Sequence, residues 1–201
     1  MSGDSAVDSN FYGEGDISSI ANKQIDAFKT SARSHKGFYV GRYEQGKGNV
    51  CIAGVEPITE ITRDKAKSSA EARYRGHVYV TSELISSYAW DTTLNFICQT
   101  NEAGYTLATT RDRKYGNLST GEMNKTGKYS ADKYSNIYDF LGNYWEWTTE
   151  YCAFESDHCT SRGGTYFNGY LDSGFFAADR ITLSMNYRNT GPPFRMQVYI
   201  K

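Results

Sequence analysis

Apolar residues recur at helical spacing over three stretches of the chain and alternate with polar ones over several others. Ile17, Ile20, Ala21, Phe28 and Ala32 follow Asp16 and stop before Gly37, which predicts a helix opened by an acidic cap. Thr62 is placed to cap a polar helix running to Arg73, with its alanines toward the buried side. Ser86 or Ser87 caps another, in which Trp90, Leu94 and Ile97 fall at i, i+4 and i+7 beside Phe96 and Cys98. Between these, Gly37–Glu44 alternates as a strand, Gln45-Gly46-Lys47-Gly48 closes it as a turn, and Asn49–Val55 is its expected hairpin partner. His77–Thr81 is short and β-rich. Near the end, Phe194–Ile200 alternates as a terminal strand that should face Phe194, Met196, Val198 and Ile200 inward.

The densest pattern runs from Asn136 to Arg162. A Leu141-Gly142-Asn143 turn feeds an extended segment that puts Trp145 and Trp147 on one face, a core, with Glu146 pointing the other way. Each indole N–H then needs a partner. Ser161-Arg162-Gly163-Gly164-Thr165-Tyr166 reads as a turn into a further strand. Residues 1–16 are rich in Ser, Asp and Gly and are expected to form a flexible N-terminus. Residues 100–135 are polar without sustained periodicity, so that loop is either functional or conceals elements the pattern does not mark.

Composition narrows the classes. The chain has 201 residues, enough for a sizeable core, and reads as one domain, 17–201. Its 22 basic and 23 acidic residues are well mixed, which leaves no basic footprint for nucleic acid. No apolar run is long enough to span a bilayer, so no membrane insertion is expected, and the polar start MSGDSAVDSN lacks a secretory core. Cys51, Cys98, Cys152 and Cys159 show no CxxC spacing, which disfavours zinc. Cys152 and Cys159 bracket a short loop and would pair in an oxidising compartment, or stay thiols otherwise. Neither EPN nor QPD, triplets that often hold calcium in carbohydrate-binding lectins, occurs, so calcium-dependent sugar binding has no support.

The order of motifs is more specific than any one of them. Gly41-Arg42-Tyr43-Glu44, Trp90-Asp91, Asn136-Ile137-Tyr138-Asp139, Gly142-Asn143 with Trp145-Glu146-Trp147-Thr148, Arg162-Gly163-Gly164-Thr165-Tyr166 and Phe194-Arg195 follow one another in this order. Over residues 37–201 the chain thereby resembles the formylglycine-generating-enzyme (sulfatase-modifying factor) variant of the C-type-lectin fold. The resemblance implies an α+β domain of short antiparallel strands, two or three helices and long ordered loops. Trp145, Trp147, Arg162, Gly163, Gly164, Phe194 and Arg195 would be its scaffold.

That fold hosts different functions. Its oxidoreductase branch carries a cysteine pair shortly after the RGG motif, because thiolates bind copper. Here all four cysteines precede Arg162, and Tyr166–Ser173 contains no thiol. Iron-dependent sulfoxide synthases, a second branch, use a His triad, whereas His35, His77 and His158 lie in separate segments. A non-enzymatic binding protein without a cofactor is therefore expected, with a formylglycine-generating-type oxidoreductase or degenerate relative as the alternative. The chain most resembles the variable proteins of diversity-generating retroelements, which carry a hypervariable ligand-binding surface after RGG(S/T). Codon changes in that family do not reach Lys, Glu, Gln or Trp. Residues 165–190 contain none of these four, where the chain-wide frequency, 29 of 201, would place about four.

The resemblance makes 165–190 the variable region. Its contact residues would be Tyr166, Phe167, Asn168, Tyr170, Leu171, Asp172, Ser173, Phe175, Ile181, Thr182, Tyr187 and Asn189. Rigid aromatics among short polar side chains suit contact surfaces because they give area at low entropic cost. Met185 cannot be reached by such codon changes and would be fixed, and Asp179-Arg180 would belong to the scaffold. The expected partner is a protein or glycan on a host or neighbouring cell, the expected location a virion or cell surface, and the alternative location the cytoplasm.

Overall fold

The last strand of the chain lies in the centre of the first sheet. Strand β6 (Met196–Ile200) is flanked by β1 (Tyr39–Val40) and β2 (Val80–Leu84), both antiparallel to it. A second antiparallel sheet takes β3 (Glu146–Tyr151), β4 (His158–Arg162) and β5 (Arg180–Ser184) in that order. Helices α1 (Ile17–Ser34), α2 (Arg63–Ala72) and α3 (Ser87–Thr100) complete an α+β architecture. This computed structural model describes residues 17–100, 122–151, 158–166, 176–184, 186–187 and 191–201. The expected flexible segment 1–16 falls outside them.

Two helices form where capping and periodicity place them. The Thr62 hydroxyl accepts from the Lys65 amide at 3.3 Å, and Ala66 and Ala70 of α2 are fully buried against the first sheet. Ser86 is the cap of α3, its hydroxyl accepting from the Ala89 amide at 3.1 Å. Trp90, Leu94 and Ile97 then enter a core with Ile85, Phe140 and Leu141, while Phe96 stays 53% exposed. A second core gathers Ile61, Leu84, Trp147, Phe194 and Met196 under α2. Trp147 connects the sheets: it bridges to Phe194, and its amide donates to the Pro193 carbonyl at 2.9 Å.

The strands depart from the sequence pattern at identifiable points. No strand forms over Asn49–Val55, because Gly48, Asn49 and Gly54 all adopt positive φ and break the extended run. The strand expected over Gly37–Glu44 shrinks to Tyr39–Val40 and pairs with β6 instead. The β-rich segment expected at His77–Thr81 is shifted toward the C-terminus, with β2 running to Leu84. Trp147 is fully buried, but Trp145 is only half-buried, since β3 begins at Glu146 and Trp145 lies outside its ladder. Glu146 does point away from that core, into a buried ion pair rather than toward water. In β6, Ile200 is 47% exposed while Gln197 and Tyr199 are buried, because Ser31 of α1, His35 just after that helix and Ser86 cover the face that alternation assigns to solvent. Within 100–135, residues 122–135 include a short 3-10 turn at Ser130–Asp132.

Candidate functional site

The arginine of the RGG motif ends β4 as a fully buried cation. Its Nη2 donates to Asp91 of α3 at 2.5 Å and to the Ala178 carbonyl at 3.1 Å, and its Nε donates to the Asp179 carbonyl at 2.9 Å. Arg162 thus ties α3 to the chain at Ala178 and Asp179 through one guanidinium. Burial pushes its pKa down, and Asp91 opposes that. Gly163 and Gly164 follow at φ 97° and 88°, values that favour glycine. A Cβ on Gly163 would stand 3.1 Å from the Trp90 ring, which itself stacks on Phe140 at 4.0 Å. The glycine therefore lets the turn close over the aromatic core.

The returning limb is held as firmly. Asp179 accepts from the Phe176 amide at 2.8 Å, and Arg180 donates to Asp91 at 2.7 Å and to Glu150 at 3.2 Å. Burial pushes the Glu150 carboxyl up, and Arg180 pulls it back. One aspartate on α3 consequently anchors both ends of the segment that leaves at Thr165 and re-enters at Asp179.

A second buried network lies under the Gly142-Asn143 turn. Arg195 and Glu146, both fully buried, pair at 2.7 Å, and Arg195 also donates to the Gly41 carbonyl at 2.7 Å and to that of Tyr138 at 2.9 Å. Asn143, at φ 58°, donates to Glu44 at 2.7 Å, and Asp139 accepts from the Gly127 amide at 2.7 Å. Desolvation raises the Glu44, Asp139 and Glu146 carboxyls, while Arg195 acts to lower all three. Asp132 is pushed up to about 7, first by burial and then by the charge of Asp139.

Asp132 therefore binds its proton more tightly folded than unfolded. Its contribution to stability is complete below about pH 4 and is lost as pH rises through about 7. Asp132→Asn should flatten the melting-temperature profile across that window, with a difference between parent and variant on the order of 1–2 kcal/mol. Parallel profiles for the two proteins would exclude Asp132 as the titrating group.

The two networks set where side chains emerge. Residues 159–165 are all buried, and Tyr166 is the first partly exposed one, its amide donating to the Asn143 carbonyl at 3.0 Å and its ring 5.9 Å from Tyr144. On β5, an outer strand of the second sheet among the described residues, Ile181 is half-buried and Thr182 exposed; Tyr187 beyond it is 41% exposed. Phe167, Asn168, Tyr170, Leu171, Asp172, Ser173, Phe175 and Asn189, together with Met185, lie outside the described residues. So does Cys152, and with it the pairing considered for Cys159. Among the scaffold residues, Trp147, Arg162, Phe194 and Arg195 have no exposed surface. Sequence reasoning missed Arg63, a buried arginine of α2 that donates to the Thr149 carbonyl at 2.8 Å, and the roles of Asp91 and Glu150. Only Asp91 carried a signal, as half of the Trp-Asp dipeptide.

Among the described residues no cluster of His, Cys, Asp and Glu is placed to hold a metal ion, and no helix is long and apolar enough to cross a membrane. No family model matches the chain, and no curated protein matches it. Among solved structures, PvdO from Pseudomonas aeruginosa is similar in fold, with a TM-score of 0.54 over 81% of this chain and 80% of that one at 11% identity. At that identity the likeness concerns the fold alone.

Proposed function

We propose that this chain is a C-type-lectin-fold protein of the formylglycine-generating-enzyme-like variant, most like the variable proteins of diversity-generating retroelements. It binds a protein or glycan through a hypervariable C-terminal surface and performs no catalysis; a virion or cell surface is its place of action. The observation that carries the reading is the boundary at Thr165–Tyr166. There the buried run 159–165 gives way to the partly exposed Tyr166, and residues 165–190 are free of Lys, Glu, Gln and Trp. Asp91, through Arg162 and Arg180, holds the two limbs of that segment in place, as a platform that tolerates substitution requires.

Sequencing sibling genes tests the reading. Changes clustered at positions such as Asn168, Tyr170 and Asp172, beside a reverse transcriptase and a near-copy of these codons, are expected; changes spread evenly along the chain would overturn it. Copper(I) titration addresses the oxidoreductase alternative, since tight stoichiometric binding that depends on Cys152 or Cys159 would defeat the non-enzymatic reading. On the described part of the surface, Tyr187→Ala should change stability by no more than about 0.5 kcal/mol, as expected away from the core. A larger loss in chemical denaturation would place Tyr187 in the scaffold.

A further inference from the structure

Helix α3 has a face that faces neither Asp91's ion pairs nor solvent alone. Thr92, Thr93 and Phe96 form one wall of a groove of about 540 Å³; Gly37–Val40 and Arg42 form the other, and Ser135–Ile137 close its end. Phe38, Val40 and Ile137 pack on the Trp90 core and give the groove an apolar floor, while Phe96 and the 59% exposed Tyr39 form its rims. The volume lies within the range of about 300–1,000 Å³ typical of small-molecule sites. Strand addition by a peptide is disfavoured, because β1 offers an edge of only two residues.

One charge lines this groove. The Arg42 guanidinium carbon lies 5.5 Å from the ring centroids of both Tyr43 and Tyr138, which stack on each other at 5.0 Å. Among the described residues Arg42 makes no ion pair, and the lining contains no Asp or Glu. The cation is thus positioned by aromatic faces and left uncompensated at an apolar cleft, which restricts its side chain before any anion arrives.

We propose that this groove binds a small amphipathic carboxylate, its apolar part between Val40, Phe38 and Phe96 and its carboxylate on the Arg42 fork. A planar guanidinium donates two parallel hydrogen bonds to a carboxylate, and an arginine without an ion pair is available for that pairing here. The site stands apart from the surface proposed above. Thr92 and Thr93 lie about 100° and 200° around the helix from Asp91, so ligand in the groove leaves the Arg162 and Arg180 anchors untouched.

Decanoate, decanol and decyltrimethylammonium share an alkyl chain and differ in the charge of the head, so titrating each into the full chain separates charge from greasiness. Backbone amide shifts at Val40, Thr92, Thr93 and Phe96 report the groove. Decanoate should perturb these amides and bind roughly ten-fold or more tightly than decanol, equivalent to about 1.4 kcal/mol, with the ammonium weakest. Arg42→Gln, an exposed change that removes only the stacking on Tyr43 and Tyr138 and should lower the melting temperature by no more than a few degrees, should remove the advantage of decanoate over decanol, and Phe96→Asp should weaken decanoate binding. Equal affinity for the three heads, decanoate binding indifferent to Arg42→Gln, or no shift at those amides would each overturn the proposal.

Discussion

Trp147→Ala should cost about 3–5 kcal/mol of stability, the range for truncating a large, fully buried aromatic. Three losses coincide at this residue. Its indole fills the core bounded by Ile61, Leu84, Phe194 and Met196, with no exposed surface. Its N–H donates to the Ile61 carbonyl at 2.9 Å, so truncation leaves that acceptor without this bond. It also sits where β3 meets the segment leading into β6, so the cavity would open between the two sheets rather than inside one. For a domain of this size the loss corresponds to a fall in melting temperature of roughly 6–20 °C. Trp145→Ala, at a half-buried position outside the ladder, should cost clearly less. Calorimetry of the two variants checks the order, and a Trp147→Ala protein that melts like the parent would remove Trp147 from the core.

The elements legible in the sequence are those specified locally. Thr62 and Ser86 announce their helices because a cap and its recipient amide are three residues apart, and the Trp90, Leu94, Ile97 stripe needs only helical spacing. Strand partners are not local. Alternation marks Phe194–Ile200 as extended but does not say that Tyr39–Val40 and Val80–Leu84 flank it, and local spacing instead offers Asn49–Val55 as the hairpin partner of Gly37–Glu44. Alternation also assumes one wet face. Gln197 defeats that assumption, because its side-chain oxygen caps the Ser86 amide at 3.0 Å while its amide donates to Glu83 at 2.5 Å.

The site was legible to a similar degree. Arg162 and Arg195 stood out through the motifs around them, yet nothing in residue type foretells that charged side chains will be the best-buried ones. Their partners come from distant segments: Asp91 for Arg162 and Arg180, Glu146 for Arg195. Glu44 and Asn143 meet under the same turn only once the fold is closed. The common physical reason is that buried charge is stabilised by pairing and hydrogen bonding, and pairing is a property of three-dimensional neighbours.

Arg195→Met should be as damaging as Trp147→Ala, at about 3–5 kcal/mol, because it breaks a buried ion pair from the cationic side. Arg195 supplies hydrogen bonds to the Gly41 and Tyr138 carbonyls as well as to Glu146, so its loss strips donors from three acceptors at once. It is also the cation that offsets Glu44, Asp139 and Glu146, whose carboxyls burial already raises. Without it these pKa values rise further, and a carboxyl with a raised folded pKa loses its stabilising proton as pH increases. The deficit of Arg195→Met relative to the parent should therefore be larger near pH 8 than near pH 5. Glu146→Gln runs the other way: it removes one of the crowded negative charges, keeps the side-chain shape, and leaves Arg195 facing Glu44 and Asp139, so its cost should be smaller, and smaller near pH 8 than near pH 5. Denaturant unfolding of both variants at the two pH values separates charge balance from packing: equal deficits at both pH values for Arg195→Met would show that the lost carbonyl contacts, and not the uncompensated carboxylates, set its cost.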